Sequence, residues 1–420
     1  MQQGIAPNHA DHHSPEQPQK LTGSFWAVAT HFNPARYENR TLNFRIFRDR
    51  LRTQGIPLLA VEAAVGEAPF DLCPDDGDLL IQRRCHSVLW QKERLFNLAL
   101  EHLPVDCDKV VFLDADVLFM DAEWVPKVSS LLERYVAVQP FDTMYDLPPH
   151  ASGFLREPFG VAWDGMAARW YQCPDPSSFV ISGAPGGAMA LRRSFIAKHR
   201  FYDCEILGGG DSAFFGALIG TMPNRNKQLF RHTQAVFRHM TPWAEAIFRE
   251  ARGSVGFLSS TLHHLWHGDR SKRYYFTRMF LASDYDPTED VCVGEGECLE
   301  WCTEKPELHE RVKSYFYARD EDSTSPSPTP EGIGIQSLNH SLESEAVRTV
   351  AICRQQHSAE QTLGVLHEEM MHLKRLAQEY RAVQETVTYR FARSLNACSE
   401  LLLPRGSRLR TFVIRWARKL

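Results

Sequence analysis

Residues 110–113, Val-Val-Phe-Leu, form an unbroken apolar run that ends abruptly on two carboxylates, Asp114 and Asp116. A short run with no polar face has to be buried on both sides, which predicts a strand inside a parallel sheet covered by helices. Ligands of such sheets bind outside the carboxyl ends of the strands, so acids placed there lie on a functional rim. On an extended chain Asp114 and Asp116 project the same way and could share one divalent cation. A turn closed by two acids is the plain alternative.

The surrounding pattern supports a sheet. Residues 25–30 read as a first strand stopped by His31-Phe32-Asn33-Pro34, residues 40–54 as a helix ended by Gly55, and residues 57–64 as a second strand. Residues 89–102 form an amphipathic helix leading into the acid-bearing strand. This alternation predicts an α/β fold, a doubly wound and mostly parallel sheet. A helix at 124–132, a strand at 135–139, a Pro-, Gly- and aromatic-rich binding loop at 142–178, a strand within 179–191 and a helix at 211–219 continue it.

The expected organisation is a disordered leader at 1–22, the α/β domain at 23–318, a Ser- and Pro-rich linker at 319–340 and a helical tail at 341–420. In the tail, Leu363, Leu366, Met370, Leu373, Ala377, Tyr380 and Val387 follow a three-four spacing that suits a coiled coil or a docked helix. At its end Arg405, Arg408, Arg410, Arg415, Arg418 and Lys419 oppose Leu409, Phe412, Val413, Trp416 and Leu420. A basic amphipathic helix of this kind suits an anionic membrane surface or a protein partner, including a second copy of the chain.

With 420 residues and a formal charge of −5, the chain offers no bulk affinity for nucleic acid. No apolar run is long enough to span a bilayer and the polar leader lacks a signal-peptide core, so a cytoplasmic location is expected, with the tail able to rest on the inner face of a membrane. The 10 cysteines then read as reduced thiols. Cys292, Cys298 and Cys302, followed by His309, lack the paired spacing of a structural zinc site and read as surface thiols.

Three further segments carry chemistry. In Gly183-Ala184-Pro185-Gly186-Gly187-Ala188, Gly186 and Gly187 permit close approach of a ligand to the backbone. In Leu207-Gly208-Gly209-Gly210-Asp211, Asp211 opens a helix, where it either caps the helix or accepts a proton from an attacking hydroxyl. In Leu262-His263-His264-Leu265-Trp266-His267-Gly268, strand alternation puts His264 and Trp266 on one face and His267 on the other. Imidazoles suit a divalent ion left partly open by aspartates, Gly268 admits a phosphate, and Lys272 or Arg273 could neutralise it. Thr30, Asn33 and Arg36 at the first strand end, with Lys92 and Arg94 on the helix, are candidates for contacting a nucleotide. Trp163, Trp170 and Trp266 are candidates for stacking on sugar rings.

These residues carry a resemblance to the GT-A class of nucleotide-sugar glycosyltransferases over residues 25–285. Asp114-Ala115-Asp116 resembles the DxD motif of that class. Gly186-Gly187-Ala188-Met189-Ala190 with Gly209-Gly210-Asp211 is similar to the carboxyl half of the β-1,4-galactosyltransferase-like families, although Ser212-Ala213 replaces a longer acidic run. His264-Leu265-Trp266-His267-Gly268 resembles the late His-containing metal motif. The resemblance implies a hexosyltransferase using Mn2+ or Mg2+ and a nucleotide-diphosphate sugar donor. Metal would sit on Asp114, Asp116, His264 and His267, and the sugar would pass to a glycan or other hydroxyl acceptor. Asp211 would be the base of an inverting reaction; in a retaining one it would orient substrate. A phosphohydrolase of the haloacid dehalogenase type also begins from Asp-x-Asp, but there Gly-Thr follows where Val117-Leu118 stand here. A carbohydrate-binding scaffold on a degenerate transferase domain is the non-enzymatic alternative.

Overall fold

The computed structural model describes residues 18–149, 161–173, 179, 183–221, 233–273 and 278–324. In chain order its elements are β1 (Ser24–Phe32), α1 (Glu38–Thr53), β2 (Leu58–Val65), β3 (Leu79–Cys85), α2 (Lys92–His102), β4 (Cys107–Leu113), β5 (Val117–Phe119), α3 (Trp124–Leu132), β6 (Ala137–Gln139), β7 (Thr143–Asp146) and β8 (Val161–Asp164). They continue with α4 (Met166–Gln172), β9 (Ala188–Arg192), α5 (Arg193–His199), α6 (Gly210–Ile219), α7 (Gln234–Ala251), β10 (Val255–Phe257), β11 (Thr261–His264), β12 (Val291–Val293), β13 (Leu299–Trp301) and α8 (Pro306–Tyr317).

Seven strands form the central sheet in the order β10-β6-β9-β4-β1-β2-β3. All pairs are parallel except those of β9, which runs antiparallel to β4 and β6. Alternation along the strands sends side chains to two cores. Val28, Val110 and Phe112 pack with Leu95, Phe96 and Leu98 of α2 on one face. Ala27, Ala29, Val111 and Leu113 pack with Phe44, Phe47 and Leu51 of α1 on the other. Helices on both faces make the sheet doubly wound. Strand order reverses between β1 and β4, so the carboxyl end of β4 lies at a topological switch point.

A second sheet, β5-β11-β7-β8, crosses the rim beyond β4. Its register sets His264 opposite Val117 on β5 and Asp146 on β7.

Several expectations need correction. Gln19 and Leu21, assigned to the leader, donate backbone hydrogen bonds to Glu133 at 2.8 and 3.4 Å. The domain does not stop at 318, because Arg319 and Glu321 are buried. Cys292 and Cys302 are joined in a disulfide across the β12–β13 hairpin, and Cys298 is buried, so this trio is neither a set of surface thiols nor a zinc site. The tail, with its coiled-coil and basic segments, lies outside the described residues. Among those residues no helix is long and apolar enough to cross a membrane.

Candidate active site

The chain leaves β4 at Leu113 and turns, and this turn separates the two aspartates. Asp114 stays with β9: its backbone N–H donates to the Gly187 carbonyl at 2.9 Å, and its carboxylate accepts from the Gly187 N–H at 3.1 Å. Lys92 Nζ lies 2.5 Å from Asp114 Oδ1 and 3.0 Å from Asp211 Oδ1. Asp116 turns instead toward β11. The two acids therefore have different partners, Lys92 for Asp114 and His264 for Asp116, because strand alternation ends one residue before them.

Asp211 sits in the first turn of α6, and Gly186 leaves it room. A Cβ on Gly186 would stand 2.7 Å from Asp211 Oδ2. One ammonium therefore serves two carboxylates. Although burial alone opposes its charge, Asp114 and Asp211 raise the Lys92 pKa and hold it protonated. Burial, reinforced by Asp114, raises the Asp211 pKa despite the pull of Lys92. A carboxylate so raised is a better proton acceptor than a solvated one. Glu93, next along α2, is buried and accepts from Trp90 Nε1 at 2.8 Å.

Asp116, His264 and His267 form a second cluster, with one potential ligand atom from each lying within 4.8 Å of the others. Alternation would have split the histidines between two faces. Instead β11 ends at His264, and the following turn brings the two rings to a centroid separation of 4.3 Å. His264 Nε2 lies 3.4 Å from Asp116 Oδ1 and its Nδ1 lies 2.8 Å from Asp146 Oδ1. Asp146 is itself held by Trp163 Nε1 at 2.7 Å. A carboxylate behind a histidine fixes ring orientation and raises ligand basicity at metal centres. His267 Nδ1 is fixed by the Leu265 carbonyl at 2.9 Å.

Without a metal, Asp116 and His264 stand as a carboxylate–imidazolium pair, and a divalent ion would take the place of the His264 proton. Burial alone would raise Asp116, but the His264 imidazole, with Arg273 and Arg40 beyond it, holds it down at about 2. Burial would lower His264, but Asp116 and Asp146 push it up to about 10. Asp116 Oδ1 is buried without a well-formed hydrogen bond. An under-satisfied carboxylate oxygen beside two imidazoles fits a divalent ion of the manganese or magnesium kind.

The remaining sequence candidates have partners of their own. Asn33 bonds Tyr37 and Asp71, and Arg36 pairs with Asp71 at 2.7 Å, so both serve the loop after β1. His31, Glu62 and Asp71 also cluster there, but Glu62 accepts from the Asp71 and Leu72 N–H groups and from Gln82, which closes that network. Thr30 is half-buried in the β1–β2 ladder. Arg94 donates to the Glu297 carbonyl and pairs with Asp203, away from Asp211. Gly187 has φ +86 and packs on Leu262 and Met144. A Cβ on Gly268 would meet the backbone of Asp320 and Glu321, and Lys272 pairs with Asp320. Trp170 is core, and Trp266 donates to the Ser323 carbonyl at 2.6 Å.

Two surface clefts of about 310 and 340 Å³ are lined by Arg238, His239 and Asp286, and by Arg200, Asp203 and Trp243. Neither includes the carboxylates of the rim. A cavity of about 20 Å³ is lined by Lys92, Asp114, Gly186 and Asp211.

No family model and no curated protein matches the chain. It is similar to solved nucleotide-sugar transferases. One is glucosyl-3-phosphoglycerate synthase from Mycobacterium tuberculosis in complex with Mn2+, UDP and phosphoglyceric acid, at 11% identity over 62% of this chain and 76% of that one, TM-score 0.35. The same synthase with Mg2+ and UDP gives 10% identity over 66% and 87%, TM-score 0.34. The catalytic domain of Drosophila β-1,4-galactosyltransferase 7 with xylobiose gives 11% over 70% and 98%, TM-score 0.30. At these scores the likeness says nothing about activity, which rests on the side chains of the rim.

Proposed function

We propose that the chain is a divalent-metal-dependent glycosyltransferase that moves a hexosyl group from a nucleotide-diphosphate sugar to a hydroxyl acceptor. The observation that carries this reading is the pairing of two unlike carboxylate centres on one turn after β4. Asp116, with His264 and His267, suits a metal, while Asp114 shares Lys92 with the half-buried Asp211.

Asp116, His264 and His267 would hold a divalent cation, which would supply charge stabilisation to a departing diphosphate. Asp211 accepts the acceptor's hydroxyl proton as its oxygen bonds the anomeric carbon and the bond to the diphosphate breaks, which inverts the configuration. Lys92 keeps the Asp211 carboxylate oriented and offsets the charge of Asp114.

The test is sugar release from a panel of nucleotide sugars with Mn2+, followed by transfer to hydroxyl acceptors. Asp116→Ala is expected to abolish turnover and metal-dependent thermal stabilisation together. Asp211→Asn should keep metal and donor binding and lower kcat by about 100-fold or more, in line with loss of a general base. Full transfer activity in Asp211→Asn would remove the base assignment, and an NMR assignment of the product anomer would separate inversion from retention.

A further inference from the structure

The segment that follows α8, residues 318–323, has no regular structure, yet it is bound along its length to the loop that carries His267. Trp266 donates its Nε1–H to the Ser323 carbonyl at 2.6 Å. Asn39 Nδ2 bridges the Trp266 and Glu321 carbonyls at 2.7 and 3.1 Å. Gly268, at φ +89, lets the strap approach so closely that a Cβ there would lie 2.8 Å from both the Asp320 carbonyl oxygen and Glu321 Cα.

At the centre is Glu321, 1% exposed. Its carboxylate meets Arg319 at 2.7 Å and Arg40 and Arg273 at 3.2 Å each. Arg273 Nη2 in turn donates to the carbonyl oxygen of His267 at 2.9 Å. A guanidinium fixed by a buried carboxylate has its donor directions set, so the backbone it grips is set as well.

We propose that Glu321 is a positioning residue for the metal centre, acting through Arg273 to hold His267 at Asp116 and His264. This rests on the metal reading above. Groups that orient a ligand from behind change metal affinity by about 10- to 100-fold when removed.

The test uses the full chain and Mn2+ alone, with bound and free ion separated by electron paramagnetic resonance and folding followed by circular dichroism. Glu321→Gln should weaken Mn2+ binding by about 10-fold or more and alter the spectrum of the bound ion. Arg273→Lys keeps the charge but loses the planar fork, and should do the same should Glu321→Gln fail to fold. Asp322→Ala is the structural control. Asp322 accepts from the Glu38 and Asn39 N–H groups at the start of α1, so its loss should lower Tm and leave Mn2+ affinity within about twofold. Wild-type affinity in folded Glu321→Gln and Arg273→Lys overturns the inference alone. Absence of Mn2+ binding by the wild-type chain overturns the metal reading and this inference with it.

Discussion

Asp146 and Glu93 are the side chains that change most in meaning between sequence and structure. Asp146 lies in a Thr-Met-Tyr-Asp run with no motif spacing, and only the parallel register of β7 with β11 sets it opposite His264. Asp146→Asn keeps the shape but loses the charge behind the imidazole. Mn2+ affinity measured by calorimetry should fall by about 10- to 100-fold with little change in Tm. Glu93 makes a prediction of the opposite electrostatic sign. Burial, then Asp211, push its carboxyl from 4.5 up to about 8. Between those values the folded state keeps a proton that the unfolded state releases, so this residue's contribution to stability falls as pH rises. Glu93→Gln should therefore gain Tm relative to wild type steadily from about pH 5 to pH 8; a gap independent of pH would rule the account out.

Among the elements, β9 does most to shape the rim. Because it runs antiparallel to β4, its amino end, preceded by Gly186 and Gly187, meets the carboxyl end that carries Asp114. Gly186 is there for space, its missing side chain leaving Asp211 in reach of Lys92. Gly186→Ala should displace the Asp211 carboxylate and reduce kcat more than it reduces Tm, checked by steady-state turnover beside a thermal melt. Apolar runs and helical spacing made β1, β2, β4, α1, α2, α3 and α6 legible, since each buries a continuous face. β3 escaped notice because Gln82, Arg83 and Arg84 give it a half-exposed, polar edge. β5 escaped because three residues carry no periodicity. α7, with Pro242 inside it, drew no assignment from its spacing, yet it is held by a Thr233 cap that accepts from the Val236 N–H at 3.2 Å.

For the whole domain, stability at low pH is tied to its last described residues. Burial would raise Glu321, but Arg319, Arg40 and Arg273 hold it from 4.5 down to about 2. The resulting stabilisation, on the order of 3 kcal/mol, is present above about pH 4.5 and is lost as pH falls toward 2. Urea unfolding of wild type and Glu321→Gln should show a gap at pH 6 that narrows below about pH 4.5 and closes by about pH 2. The dependence reaches across the fold, because the same carboxylate ties α1, the loop after β11 and the end of α8 together.

Burial pattern and spacing sufficed for the doubly wound sheet, for acids at its carboxyl rim, and for a Gly-rich approach to Asp211, because these follow from local periodicity and from where parallel strands end. Which acid faces which cation did not. Asp114 and Asp116 are two residues apart, and a single turn sends one to Lys92 and Asp211 and the other to His264 and His267. That division depends on long-range register, β9 against β4 and β11 against β5 and β7, and register is an energy of the packed sheet rather than of any one segment.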